Sequence, residues 1–197
     1  MKIEPSYFKE NEVVFIAKNL IGKSLFTLID GQIAGGIITE TEAYNGIYDK
    51  ACHSYGGKRT ARNEIMYAEG GCLYIYLCYG IHHLLNIVTN KAEIPDAILI
   101  RSIFPTHGEE LILKRRNKCK ITSNITQGPG KVSQALGVTL LHNGVSLASD
   151  MVWLEDRNLT IPSEQIWITP RIGIDYAGDD ALLPYRFLLN PNFKFPI

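Results

Sequence analysis

The feature that most constrains this fold is a strand pattern that turns back on itself twice. Lys23 to Ile29 and Gln32 to Tyr44 are rich in β-branched and apolar residues, with Asp30-Gly31 between them. Asp-Gly between two such runs signals a hairpin, because both residues tolerate the positive φ of a tight turn. Leu73 to Val88 repeats the pattern, with Tyr79-Gly80 where the chain should reverse. Ala97 to Phe104 adds a strand with an apolar run, and Trp153-Leu154-Glu155 and Ile166-Trp167-Ile168 add short ones. Helical patterns are fewer. Glu10 to Leu20 carries Val13, Val14, Ile16, Ala17 and Leu20 on one face and is stopped by Gly22. Asn63 to Ala68, His107 to Asn117 (starting near Thr106) and Lys131 to Leu136 complete the set, the last introduced by Gly128-Pro129-Gly130 and ended by Gly137. Gly46 to Arg62 reads as loop. Strand and helix do not alternate regularly, which argues for a sheet-rich α+β domain and against a doubly wound parallel sheet.

A chain of 197 residues without repeats or linkers reads as one domain, spanning residues 1–197. The start, Met1-Lys2-Ile3-Glu4-Pro5, lacks the basic and apolar regions of a signal peptide. No apolar run approaches the roughly 20 residues of a membrane span. Cys52, Cys72, Cys78 and Cys119 show no metal-type pairing, so free thiols in a reducing compartment are expected. The expectation is a cytoplasmic monomer (nucleoid-associated if bacterial) that does not engage a membrane.

Twenty basic and twenty acidic residues cancel. A nucleic-acid binder is usually basic, yet affinity depends on where cations sit along the phosphate track. Two concentrations exist: Lys58, Arg59 and Arg62, then Lys114, Arg115, Arg116, Lys118 and Lys120. The second reads equally well as a solvated helix end.

The residues able to do chemistry cluster between Ile37 and Arg101. In an extended strand Glu40, Glu42 and Tyr44 project on one face, opposite Thr39, Thr41 and Ala43. Taken alone, that face reads as the wet side of a hairpin, and periodicity does not separate one carboxylate from the other. Tyr79 beside Gly80 at a solvated tip is wasted on folding. Two motifs are set aside. Cys72, Cys78, His82 and His83 lack the short paired spacings that converge on zinc. Gly128-Pro129-Gly130-Lys131 lacks the first glycine and the Ser/Thr of a Walker phosphate loop, although a helix N-terminus there could meet a DNA phosphate.

In order and spacing, Glu40-Thr41-Glu42-Ala43-Tyr44, His53, Tyr74-Ile75-Tyr76, Tyr79-Gly80, Asn86 and Arg101 resemble the alkyladenine (3-methyladenine) DNA glycosylase family. Further landmarks extend the resemblance over nearly the whole chain: Leu20-Ile21-Gly22-Lys23, Gly130-Lys131 with Gln134-Ala135-Leu136, Arg171-Ile172-Gly173-Ile174, and Leu183-Pro184-Tyr185-Arg186-Phe187. It implies one compact α+β domain with a curved antiparallel sheet, flanking helices and a protruding β-hairpin. It also implies an enzyme of base-excision repair that acts on double-stranded DNA containing damaged purines. In that chemistry the target nucleotide is flipped out of the duplex into a pocket. By resemblance Glu42 deprotonates the attacking water, and Tyr44, His53 and Tyr76 hold the base. Tyr79 wedges into the duplex, and Asn86 disfavours the exocyclic amino group of guanine. Arg101 lies near the flipped nucleotide and its water network; read alone, it could as well be an internal ion pair. Backbone groups at Ile172 and Gly173 lie near the base, and Lys58, Arg59, Arg62 and Lys131 meet the DNA backbone. No metal or organic cofactor is implied. A lyase would need a lysine nucleophile, and neither Lys58 nor Lys131 has a mechanism for it. The expected substrates are 3-methyladenine, 7-methylguanine, hypoxanthine and ethenoadenine, unranked. The chain departs from the family pattern in its neutral charge, in lacking an N-terminal extension and at His82-His83. A catalytically silent DNA-binding domain and a hydrolase of free modified nucleosides are the rival readings.

These assignments impose a test of register. A two-residue Tyr79-Gly80 loop would pair Tyr76 with His83 and turn Asn86 away from Tyr76. A shared pocket therefore requires an odd-length loop such as Tyr79-Gly80-Ile81, or a bulge.

Overall fold

A computed structural model describes residues 1–9 and 12–195 of the chain. Eight strands, all paired antiparallel, make one curved sheet. They are β1 (Ser24–Ile29), β2 (Gln32–Tyr44), β3 (Leu73–Cys78), β4 (His82–Thr89), β5 (Asp96–His107), β6 (Val152–Glu155), β7 (Ile166–Thr169) and β8 (Arg186–Leu189). The order is β3-β4-β5-β2-β1-β6. Long β2 serves two neighbours on one edge, with β1 along its first half and β8, itself paired with β7, along Glu40–Glu42. The described α-helices are α1 (Val13–Asn19), α2 (Glu109–Arg116) and α3 (Pro129–Leu136). The architecture is the expected α+β one, with β3 and β4 forming the hairpin.

Alternation along the strands divides the sheet into two unlike faces. Leu73 and Ile75 of β3, Leu85 and Ile87 of β4, and Ile98 and Ile100 of β5 enter one large core with Ile16 and Ala17 of α1 and Val132, Ala135 and Leu136 of α3. On the other face, Tyr74, Val88 and Ala97 join Cys52 and Met66 from the segment between β2 and β3. Thus helices cover one side and an irregular segment covers the other. The second side holds the chemistry.

Two irregularities in the β2–β5 pairing shape that side. Ile38 faces Ile103 and Glu40 faces Ser102, so Thr39 is an extra residue; Thr41 faces Ile100, so Arg101 is another. Such bulges bend the strands and redirect side chains. The carbonyl of Arg101 accepts the Gly128 N–H at 2.8 Å, which ties the second bulge to the start of α3. Nearby, Gly36 lets β2 approach β5 closely, since a Cβ there would lie 2.3 Å from the Phe104 carbonyl oxygen.

Several boundaries differ from expectation. Helix α1 begins at Val13 rather than Glu10, with Glu10 and Asn11 lying outside the described residues. Strand β5 continues through His107, where a helix was expected, because His107 still pairs with Gly35; Gly108, at φ 73°, then turns the chain into α2. Helix α3 starts at Pro129, a residue suited to a first turn where its missing N–H is not needed. Asn63–Ala68 contains only a 3-10 turn, Glu64–Tyr67. Strand β8 was not anticipated. Among the described residues no helix is long and apolar enough to cross a membrane, and all four cysteines are unpaired.

Candidate active site

The hairpin has the register that a shared pocket requires. Cys78 pairs with His82 around the three-residue loop Tyr79-Gly80-Ile81, which places Tyr76 opposite Leu84 and Tyr74 opposite Asn86. One row of facing residues then crosses five strands: Tyr74, Asn86, Leu99, Glu42 and Arg186. The adjacent row carries Val88, Ala97 and Tyr44. Tyr44, His53, Tyr74, Tyr76, Asn86 and Ala97 line one pocket together with Cys52 and Met66.

The face holding Glu40 and Glu42 is not the wet side of a hairpin. Glu42 is 0% exposed and Glu40 7%. Strands β5 and β8 flank β2 here and bring basic side chains from both sides. The two carboxylates, indistinguishable by periodicity, have different surroundings. Glu42 Oε1 accepts the Ile172 N–H at 2.9 Å, while Oε2 accepts the Tyr44 hydroxyl at 2.9 Å and Arg101 Nη1 at 3.3 Å. Glu40 Oε1 instead accepts Arg101 Nε at 3.0 Å and Arg186 Nε at 2.6 Å. Glu40 is held between guanidinium groups, and Glu42 is hydrogen-bonded to Tyr44, which lines the pocket. Burial raises the Glu42 carboxyl above the ordinary glutamate range, against the lowering effects of Arg101, the Ile172 amide and the Tyr44 hydroxyl. A carboxylate placed this way is more basic than one in water.

The aromatic walls are fixed by their own contacts. The His53 ring meets Tyr76 edge-on at 4.6 Å between centroids, and Tyr74 stacks on Tyr76 at 5.5 Å. His53 and Tyr76 touch, so a flat ligand cannot lie between them. They pack together with Tyr74, and Tyr44 also lines the pocket. His53 Nδ1 shares a hydrogen bond of 2.8 Å with the Tyr74 hydroxyl. Burial, reinforced by Arg62 and Lys58, lowers the imidazole to about 4, so it is neutral at physiological pH. Buried Asn63 fixes the loop that presents it, donating to the carbonyls of His53 at 3.2 Å and Lys58 at 2.8 Å. Asn86 is locked by donating Nδ2 to the carbonyls of Tyr74 at 3.1 Å and Leu84 at 3.2 Å.

The remaining expected residues surround this centre. Tyr79 is 92% exposed at the hairpin tip with φ 51°, beside Gly80 at φ 74°. A left-handed tyrosine with no packing partner is strained for no structural gain. The Ile172 N–H, expected near the base, is engaged by Glu42, and the side chain is half exposed. Among the expected DNA-facing cations, Lys58 is exposed and Arg62 lies over Tyr76 at 5.2 Å. Arg59 is already paired with Glu64 and Glu93, both at 2.7 Å. Lys131 lies in the first turn of α3, donating to the Asn124 carbonyl at 3.3 Å. The run Lys114–Arg116 is a helix end: Arg115 donates to the Ala135 carbonyl at 3.3 Å and Arg116 to that of Ile125 at 3.0 Å.

Sequence reasoning missed Tyr74, Asp49 and the roles of Arg171 and Arg186. Tyr74 was legible, since it lies two residues from Tyr76 on the same strand face. Asp49 and Arg171 form a buried ion pair, and no local pattern announces it.

Comparison with known proteins gives a consistent result. The family model for methylpurine-DNA glycosylase matches residues 7–193. A relative in Chlamydia felis, by name a 3-methyladenine DNA glycosylase, is 49% identical over 186 residues, 94% of each chain. One of the same name in Chlamydia pneumoniae is 44% identical, covering 96% of this chain and 95% of its own. Another in Bacillus cereus is 43% identical, with 95% of each chain covered.

Proposed function

Because this chain belongs to the methylpurine-DNA glycosylase family, we propose that it hydrolyses the N-glycosidic bond of damaged purines flipped out of duplex DNA, with Glu42 as the base that activates water. The observation that carries this reading is the place of Glu42: fully buried and hydrogen-bonded to Tyr44 of the aromatic pocket. Oxygen Oε1 takes one hydrogen bond from the protein and keeps a lone pair for water.

Water attacks the sugar C1′ while Glu42 accepts its proton, a C1′–O bond forms, and the C1′–N bond breaks. The bonding pair stays with the departing base. Glu42 also offsets the positive charge that develops on the sugar. A purine alkylated at a ring nitrogen is already cationic and leaves neutral without a proton. Hypoxanthine needs one, and His53, neutral near pH 7, does not supply it. The neutral aromatic walls accept a cationic ring without charge repulsion. Alkylated purines are accordingly the preferred substrates, and 3-methyladenine is the one named by the relatives. Exposed Tyr79 fills the stack vacated by the flipped nucleotide, and Lys58, Arg62 and Lys131 meet phosphates.

The test is single-turnover release of methylated purines from alkylated duplex DNA, with alkali converting abasic sites to strand breaks. Wild type should give alkali-dependent breaks, and Glu42→Gln should give them about a hundredfold or more slowly. Breaks without alkali would indicate a lyase, and undiminished release by Glu42→Gln would sink the reading.

A further inference from the structure

Glu40 and Arg186 join Glu42 in one chain of charges. Arg186 Nε donates to Glu40 Oε1 at 2.6 Å, Arg101 Nε donates to the same oxygen at 3.0 Å, and Arg101 Nη1 reaches Glu42 Oε2 at 3.3 Å. The four groups alternate in sign, are mostly buried, and sum to zero. Arginine frequently meets a carboxylate through two parallel hydrogen bonds. Here the bulge at Arg101 sets the guanidinium between two carboxylates, and its shorter bond goes to Glu40.

We propose that Glu40 and Arg186 are positioning residues that act through Arg101: Glu40 holds the guanidinium back so that Glu42 receives one hydrogen bond from it instead of a bidentate clasp, and Arg186 sets how strongly Glu40 pulls. The proposal rests on Glu42 being the base. A bidentate clasp would occupy the lone pairs that water needs and weaken the carboxylate as a proton acceptor. With Glu40 competing for Arg101, the carboxylate remains anchored and stays basic. The charged or titratable groups facing Glu42 are Glu40 and Tyr44 on β2 and Arg101 on β5; the Ile172 amide also donates to it. Arg171, beyond β7, lies over the Tyr44 ring and adds a further positive charge that acts on Glu42. Arg186 of β8 meets Glu40 alone of the two carboxylates.

The arrangement predicts opposite effects from neutralising its two outer charges. Glu40→Gln removes a negative charge and releases Arg101 toward Glu42, so activity should persist to lower pH. Arg186→Gln strengthens the hold of Glu40 on Arg101, so activity should fail at higher pH. Each shift should be about one pH unit, a tenfold rate difference on the acid side. The double variant restores neutrality and should return the profile toward wild type. Arg186→Lys keeps the charge and should shift it less than Arg186→Gln.

The experiment is the pH dependence of single-turnover release of methylated purines from alkylated duplex DNA, because a cationic leaving group adds no titration of its own. An inactive Glu42→Gln with opposite shifts for Glu40→Gln and Arg186→Gln supports the proposal. An inactive Glu42→Gln with superimposable profiles for wild type and both variants overturns the positioning role alone. Shifts in the same direction, or rate losses without any shift, also overturn it, because they describe structural damage. Activity in Glu42→Gln overturns this proposal and the base assignment together. Should Glu40→Gln fail to fold, Arg186→Gln against Arg186→Lys still decides: equal profiles in these two and wild type would overturn it.

Discussion

Arg171 and Asp49, 122 positions apart in the chain, form a fully buried ion pair in which Nη2 meets Asp49 Oδ1 at 2.8 Å and Nη1 meets Oδ2. Arg171 Nη1 also donates to the Ala43 carbonyl at 2.9 Å, and the guanidinium lies 4.8 Å from the centre of the Tyr44 ring. One side chain thus fastens the loop after β2, the strand carrying Glu42 and an aromatic wall. Removing one partner leaves a buried charge alone, at a cost of about 3–5 kcal/mol. Asp49→Asn should lower the melting temperature well beyond any exposed substitution and reduce base excision. A melting temperature within experimental error of wild type would contradict this account.

Glu42→Gln removes the proton acceptor but retains nearly the same volume. Its single-turnover rate should fall by roughly two to four orders of magnitude, the usual contribution of general base catalysis. Binding to lesion-containing duplex, measured by anisotropy, should persist. Loss of binding would make Glu42 a structural residue.

Tyr79 has no packing role and a left-handed backbone. Tyr79→Gly should therefore leave stability unchanged or slightly raised, because glycine adopts this conformation freely. Excision from duplex DNA should fall at least tenfold. If the chain instead hydrolysed free nucleosides, the substitution would have no effect, since the wedge is needed only in a double helix.

Acidification acts on stability in opposite directions through His53, in the aromatic pocket, and Asp96, in a separate cavity beside Asn45 and Asn90. The His53 imidazole is lowered to about 4, chiefly by burial. In the unfolded chain it gains a proton near 6.5, so its contribution to stability falls as pH drops from about 6.5 toward 4. Burial raises the Asp96 carboxyl to about 6. Asp96 thus binds its proton earlier in the folded state, which favours folding as pH drops from about 6 toward 4. The two partly cancel in wild type. His53→Gln removes the unfavourable one, so its stability relative to wild type should improve between pH 7 and 5, read from urea midpoints at each pH. A constant difference would contradict the assignment.

Much of this site was legible in the alternation of β-strands. Glu40, Glu42 and Tyr44 share a face, as do Tyr74 and Tyr76, and a pocket common to Tyr76 and Asn86 required the odd-length hairpin loop that is present. Burial was not legible. The strand carrying Glu40 and Glu42 looks half-polar, and only the unanticipated β8 with Arg186 makes it interior. The pairing of Asp49 with Arg171 joins segments with no local signature. The bulge at Arg101 escaped notice because alternation assumes one residue opposite one. The helix boundary at Glu109 was missed because β5 outlasts the propensity of its own sequence.

That bulge has a consequence for how such a chain can change over generations. Between Leu99, facing Glu42, and Ser102, facing Glu40, β5 has one residue more than an even ladder would hold. Deletion of Ile100 would keep every charged group and still withdraw the guanidinium from both carboxylates. A substitution at Leu99 or Ser102 leaves that count intact. Lineages should therefore tolerate spelling changes around Arg101 far more readily than changes of length.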